Sequence, residues 1–242
     1  MSEIKLQAIV LSSYDYKEKD KLVTLFSLEE GIISAVVKGV KKEGAKLKFA
    51  VQPFCFLNAI LVKRGNFYTL TSAELQDSFF DLTKNITSYY VAFSLLEVVQ
   101  VSMMQNEPNP LVFVNLLKAL KQICYDNLPA KLVLVKFMVG MLKVLGYRFN
   151  FKMCASCQMP FVNKKYLNLE TGAFVCGSCV VPTCALVESD VFLFIQLLYQ
   201  TEMERLGSIQ AKETVVNNAL KLITQNFEHR TEKKLKTIKQ FI

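Results

Sequence analysis

The sequence has little of what catalysis usually draws on. Its one histidine, His229, lies in Phe227-Glu228-His229-Arg230 with no serine or cysteine motif beside it, so a capping or exposed role suits it better than a catalytic one. Neither a Walker A loop nor a glycine-rich dinucleotide fingerprint occurs, which argues against the common nucleotide-binding classes. No apolar run stays free of charge for the roughly 20 residues a spanning helix needs; Glu97, Lys136 and Lys143 interrupt the longest stretches. The opening Met1-Ser2-Glu3-Ile4-Lys5 sets charges where a secretory signal carries an apolar run. No membrane span and a cytoplasmic location are therefore expected. Arginine is scarce as well, at four of the 29 basic residues, the other 25 being lysine. Lysine is a hydrated point charge, whereas arginine makes the fork that reads guanine, so the bias favours phosphate binding over base reading. Drift from arginine to lysine in an AT-rich genome gives the same bias.

What is present describes a folded, basic chain. Hydrophobic residues make up 52% of 242, enough for one large domain or two to three small ones with real cores. The formal net charge of +8 points to polyanionic partners, nucleic acid or an acidic protein tail. Seven cysteines, an odd number without a secretory signal, argue for a reducing compartment and against a disulfide framework.

Four of those cysteines form the most specific local pattern. Cys154-Ala155-Ser156-Cys157 and Cys176-Gly177-Ser178-Cys179 are two C-x2-C knuckles separated by 18 residues, a spacing that folds over one tetrahedral Zn²⁺. Between them, Tyr166 to Leu169 and Ala173 to Val175 read as two short strands joined by a turn at Glu170-Thr171-Gly172, as a zinc ribbon requires. With all four positions filled by protein no site remains for a catalytic water, so the metal is expected to be structural. Four thiolates on Zn²⁺ carry −2, lowering the effective charge to about +6. Cys184 is a weak substitute ligand, and Cys55 and Cys124 read as core residues.

The first 80 residues predict a small β-barrel. Strands are expected at Gln7–Ser13, Lys21–Ser27, Ile32–Val37, Pro53–Lys63 and Phe67–Thr71, the last two joined by a hairpin turn at Arg64-Gly65-Asn66. Five short strands with these turns suit an OB-type barrel, although another five-stranded barrel gives the same pattern. From about Asp81 the period becomes helical, with helices expected over Ser88–Gln105, Leu111–Tyr125, Pro129–Leu145, Glu188–Tyr199, Lys212–Glu228 and Glu232–Phe241. The fold class is thus α+β: an N-terminal OB-fold barrel over 1–80, then a helical domain over 81–242 with a four-cysteine zinc-binding insertion over 151–184.

Binding chemistry concentrates in two basic stretches. Lys38-Gly39-Val40-Lys41-Lys42-Glu43-Gly44-Ala45-Lys46-Leu47-Lys48 sets five lysines against one glutamate, between two barrel strands, and its glycines permit close approach to a backbone. Lys63 and Arg64 add charge at a hairpin read as lying nearby. Barrels of this type bind single strands with a basic groove and aromatic platforms, for which Tyr14, Tyr16 and Tyr68 are the candidates. The second stretch, Arg230 to Ile242, carries Arg230, Lys233, Lys234 and Lys236 around an apolar face of Leu235, Ile238 and Phe241 or Ile242, read as a helix that contacts DNA or an acidic tail. Asp15, Glu18 and Asp20 resemble nuclease carboxylates only superficially, since Lys17, Lys19 and Lys21 interleave with them as in a solvated turn.

Taken in order, these pieces resemble the RecO family across nearly the whole chain. The resemblance rests on Ala8-Ile9-Val10-Leu11, Tyr14, the run Glu18 to Phe26, Gly31, Lys38-Gly39 and its basic continuation. Further along it rests on Pro53-Phe54, Ala73-Glu74, Leu145-Gly146-Tyr147 before the cysteines, and His229 to Lys236. It implies a bacterial, cytoplasmic and nucleoid-associated non-enzyme that binds single- and double-stranded DNA and anneals complementary strands. It also implies RecR and the acidic C-terminal tail of single-stranded DNA-binding protein (SSB) as partners, and help in loading RecA onto coated single strands. On this resemblance Lys38, Lys41, Lys42, Lys46 and Lys48 hold phosphates. Two departures stand out: Lys41-Lys42 where relatives often have arginine, and Gln158 where glycine is common. The alternatives are an RNA- or transcription-associated zinc-ribbon module and a protein-only adaptor.

Overall fold

The computed structural model describes residues 2–65 and 67–241. Five strands close a barrel in the order β1-β2-β3-β5-β4: β1 Ser2–Asp15, β2 Lys21–Ser27, β3 Gly31–Val37, β4 Phe56–Arg64 and β5 Phe67–Asp77. The strand order and the parallel β3–β5 closure are those of an OB-fold. Long β1 serves two partners: Ser2–Ile9 pairs with β4, and Ala8–Asp15 pairs with β2. A register shift between Val10 and Ser12 lets it bend from one to the other. Alternation then fills the interior. Leu6, Ala8 and Val10 of β1 meet Val23, Leu25, Ile33, Ala35, Val37, Leu57, Ala59, Leu61 and Leu70 inside the barrel. The hairpin turn was read at Arg64-Gly65-Asn66; Asn66 lies outside the described residues.

Helices follow: α1 Ile86–Ser102, α2 Pro110–Cys124, α3 Ala130–Val144, α4 Ser189–Gln200 and α5 Glu213–Thr231. The start of α2 is set by Asn109, whose side chain accepts the Val112 N–H at 3.1 Å, and by Pro110, which has no N–H to leave unpaired. The chain forms two compact units, Met1–Asn85 with Ser102–Tyr125, and Ile86–Val101 with Asp126–Ile242. The change to helical periodicity at about Asp81 predicts every helix in the second domain, yet α2 packs on the barrel. Phe26 and Phe56 face outward from β2 and β4, and Phe113 of α2 covers them, its ring 5.7 and 6.2 Å from theirs. An apolar outer face on a barrel strand must find a cover, and α2 supplies it.

The second unit holds the remaining helices and a three-stranded sheet in the order β7-β6-β8: β6 Lys165–Asn168, β7 Ala173–Cys176 and β8 Cys184–Val187. The two expected ribbon strands are present, and β8 is an addition that the short run Cys184 to Val187 did not announce. The helix expected over Glu232–Phe241 is not formed. Glu232 adopts φ +57°, which ends α5, and the segment continues irregularly to a short 3₁₀ turn at Ile238–Gln240. Ile242 of the apolar face read there lies outside the described residues.

Candidate metal centre and nucleic-acid interface

The four knuckle cysteines converge. The Sγ atoms of Cys154, Cys157, Cys176 and Cys179 all lie within 4.8 Å of one another, and those of Cys157 and Cys176 are 3.8 Å apart. Tetrahedral thiolates at about 2.3 Å from Zn²⁺ stand about 3.8 Å from each other, so the donor set fits that ion in type, number and spacing. Local hydrogen bonds build the cradle. Asn150 Oδ1 accepts the N–H groups of Lys152 and Met153 and turns the chain into the first knuckle. The Cys176 N–H then donates to Cys154 Sγ at 3.3 Å, and the Ala155 N–H to the Phe174 carbonyl at 3.0 Å, which ties the knuckles together. Gln158 stands at φ +60°, a left-handed conformation that glycine adopts most readily, and its side-chain amide donates to the Ala155 carbonyl at 3.0 Å.

The thiols are poised unequally. Burial of Cys154 opposes its ionisation, but the N–H groups of Cys157, Cys176 and Ser156 aimed at its sulfur outweigh that and bring it down to about 6. Cys179, hydrogen-bonded to Cys157 and Cys176, is pushed up to about 12. Cys184 stands outside the group, its sulfur accepting the Val181 N–H at 3.5 Å. Burial pushes the Cys55 thiol up to about 11, as befits a core residue, and Cys124 is raised by burial too.

Beneath the cysteines lies an aromatic cluster. Phe174 of β7 sits 4.9 Å from Phe192 of α4 and 5.3 Å from Phe149, and Phe151 packs on Phe174, Phe192 and Tyr199. The four-cysteine hairpin is therefore built into the core of the second unit. Arg230 fastens its turn, stacked 4.1 Å from the centre of the Tyr147 ring and donating to the Glu170 carbonyl.

On the barrel, the 38–48 segment separates its residues by chemistry. Val40 is buried and Leu47 packs on the barrel core, while Lys38, Lys41, Lys42, Lys46 and Lys48 are exposed. Gly44, at φ +70°, has open space where a side chain would stand, leaving the backbone there approachable. The β1–β2 loop lies alongside: the Gly39 N–H donates to Asp20 at 2.7 Å, and the Lys41 N–H to the Lys19 carbonyl at 3.1 Å. This brings Lys17 and Lys19, which had read as part of a solvated turn, next to the five lysines. No local sequence signal announces that pairing, because it follows from barrel closure. Asp15 pairs with Lys41 at 2.8 Å and with Lys21 at 3.5 Å. Asp15 and Asp20 thus position the loop, and among the described residues they join no metal-binding group.

Platforms divide likewise. Tyr14 and Tyr16 are 59% and 49% exposed and flank the same loop. Tyr68 is a core residue, 5% exposed with its hydroxyl donating to Glu30 at 3.3 Å, and Phe67 beside it is the exposed ring at 78%. The outer β2–β3 face is covered at Phe26, opposite Ile32, while toward the lysine loop Leu22, Thr24 and Val36 are half-buried and Ser34 is exposed. The parallel register Ala35–Tyr68 places the 64–65 turn toward the start of β3, whereas the lysine loop leaves its end. The expectation that Lys63 and Arg64 stand near that loop is therefore corrected. Lys63 lies 5.0 Å over the Tyr68 ring, and Arg64 is exposed. Among the C-terminal basic residues, Arg230 is committed to Tyr147 and Glu170, Lys234 pairs with Glu228 at 3.0 Å, and Lys233 and Lys236 are exposed. Among the described residues no helix is long and apolar enough to cross a membrane.

Comparison with known proteins agrees with this architecture. Residues 1–79 match the family described as "Recombination protein O N terminal", and residues 83–238 match "Recombination protein O C terminal". A DNA repair protein RecO of Clostridium novyi is 25% identical over 241 residues, covering 100% of this chain and 94% of that protein. The protein of the same name from Desulforamulus reducens is 27% identical over 240 residues, covering 98% and 93%.

Proposed function

The chain belongs to the RecO family of DNA repair proteins, and from that premise we propose that it is a non-enzymatic mediator that binds single- and double-stranded DNA and anneals complementary strands. With RecR it helps load RecA onto single strands coated by SSB, whose acidic tail recruits it. Its place is the bacterial cytoplasm, at the nucleoid. The observation that carries the reading is the joining of the basic 38–48 loop to the 15–21 loop, whose three lysines alternate with three carboxylates, at the end of the β2–β3 face beyond Phe26. Phosphates would lie along Lys38, Lys41, Lys42, Lys46 and Lys48, and bases against Tyr14 and Tyr16. The groove on the opposite outer face includes Glu29 and Glu74 and suits a polyanion less well. Zn²⁺ held by Cys154, Cys157, Cys176 and Cys179 would be structural.

Annealing then follows from charge: a basic surface offsets the repulsion of two phosphate backbones, and base pairing supplies the specificity. Annealing of complementary DNA strands, run beside binding to RNA of the same sequence, tests this. Accelerated DNA annealing supports the reading. RNA preferred over DNA without annealing would favour an RNA-associated zinc-ribbon module, and absence of nucleic-acid binding at low salt would leave a protein adaptor.

A further inference from the structure

The segment after α5 was read as a helix and is instead a tethered strap. Glu97 of α1 accepts the backbone N–H groups of Lys236 and Thr237 at 2.7 and 2.9 Å, and Glu228 of α5 accepts that of Leu235 at 2.8 Å. Leu235 and Ile238 are buried, at 1% and 0% exposure. Two carboxylates and two apolar anchors thus fix the backbone over 235–238, with Lys236 exposed between the anchors and Lys233 and Lys239 exposed just outside them. Lys233, Lys236 and Lys239 are all exposed, and none makes an ion pair among the described residues, whereas Lys234 is paired with Glu228.

We propose that Lys233, Lys236 and Lys239 form a second nucleic-acid site, one that takes the phosphate backbone of a further strand while the barrel holds the first. The proposal rests on the DNA-binding reading given above and extends it. Fixing the backbone lowers the conformational entropy lost on binding, which sets this strap apart from a loose basic tail. The occupant follows from its chemistry. The site offers three exposed cations; Glu97 and Glu228 are engaged by backbone N–H groups, and among the described residues Leu235 and Ile238 face inward rather than toward a ligand. A polyphosphate backbone satisfies that pattern, and an acidic peptide with an apolar end does not. The two sites belong to different compact units, so each can be disabled without the other.

The test uses the full chain and two labelled single strands that cannot pair with each other, one immobilised and one free. Wild type is expected to bind the first and capture the second. Lys233→Ala/Lys236→Ala/Lys239→Ala is expected to keep first-strand affinity within about 3-fold while losing second-strand capture and annealing rate by about 10-fold or more, with a salt slope of capture shallower by about 2. The corresponding triple arginine variant is expected to restore capture, which a folding defect at these positions would not allow. Unchanged capture and annealing in the alanine variant, with first-strand binding intact, would overturn this site alone. Loss of acidic-peptide binding with capture intact would overturn it in favour of a peptide site. Wild type that holds no first strand would instead bring down the DNA-binding reading itself.

Discussion

Gly31 opens β3 at φ +69°, and a side chain there would run into the backbone of Glu107, on the segment leading into α2. Two separate constraints demand glycine at this position. Gly31→Ala is expected to cost about 2 kcal/mol or more in denaturant unfolding, since a left-handed alanine and a clash with unyielding backbone act together; a loss under about 0.5 kcal/mol would contradict the contact. Asp15 restrains the candidate DNA loop, and the Lys41 ammonium bonded to it holds its carboxyl below the usual range. With the folded value lowered, the pairing is present above the unfolded pKa near 3.8 and is lost only as pH falls through the folded value. Asp15→Asn is therefore expected to tighten single-strand binding about 3-fold at low salt by freeing one cation. That gain should be the same at pH 7.5 and pH 5, and a gain that vanishes at pH 5 would mean the wild-type pair had already opened there. Residue chemistry of this kind was half legible in the sequence. The lysine density was plain, but its partner Asp15 lies 26 positions away and is brought there by strand pairing.

Among the elements, α2 and the four-cysteine hairpin show where patterning sufficed and where it did not. The convergence of the cysteines could be read because two C-x2-C knuckles at that spacing permit few arrangements. The position of α2 could not. Its periodicity says that one face is buried and says nothing of what buries it; Phe26 and Phe56, far off in sequence, decide that. Phe113→Ala is expected to destabilise the barrel unit by about 3 kcal/mol, measured by hydrogen exchange in β2 and β4, and protection there unaffected would detach α2 from the barrel. Cys154→Ser/Cys157→Ser is expected to abolish binding of one zinc per chain and loosen the aromatic cluster of Phe149, Phe151, Phe174 and Phe192 in the second unit. Single-strand binding by the barrel should survive within a few-fold. Equal loss of both would refute independence of the units. The C-terminal strap failed as a helix prediction for a physical reason: apolar residues at 235 and 238 suit a helical face and also suit an extended chain with two inward anchors. The carboxylates of Glu97 and Glu228, which take its N–H groups, chose between them.

For the molecule as a whole, the charge surplus has a location. The five lysines of 38–48, joined by Lys17 and Lys19 of the neighbouring loop, stand on the first unit, and Lys233, Lys236 and Lys239 on the second. Fold class was legible because strand periodicity, helical periodicity and a metal pattern follow one another along the chain. The OB strand order was not, since the crossover that sets β5 parallel to β3 leaves no local mark in sequence. The central claim is that the barrel's lysine loop holds DNA phosphates, and the dependence of single-strand affinity on salt tests it most directly. If about five phosphates are engaged, affinity in the wild type should fall about 100-fold between about 50 and 200 mM salt, a slope near −3.5. Lys41→Ala/Lys42→Ala/Lys46→Ala should flatten that slope to about −1.4, leaving roughly a 7-fold fall over the same range. A variant that binds with the wild-type slope would place the DNA somewhere other than this loop.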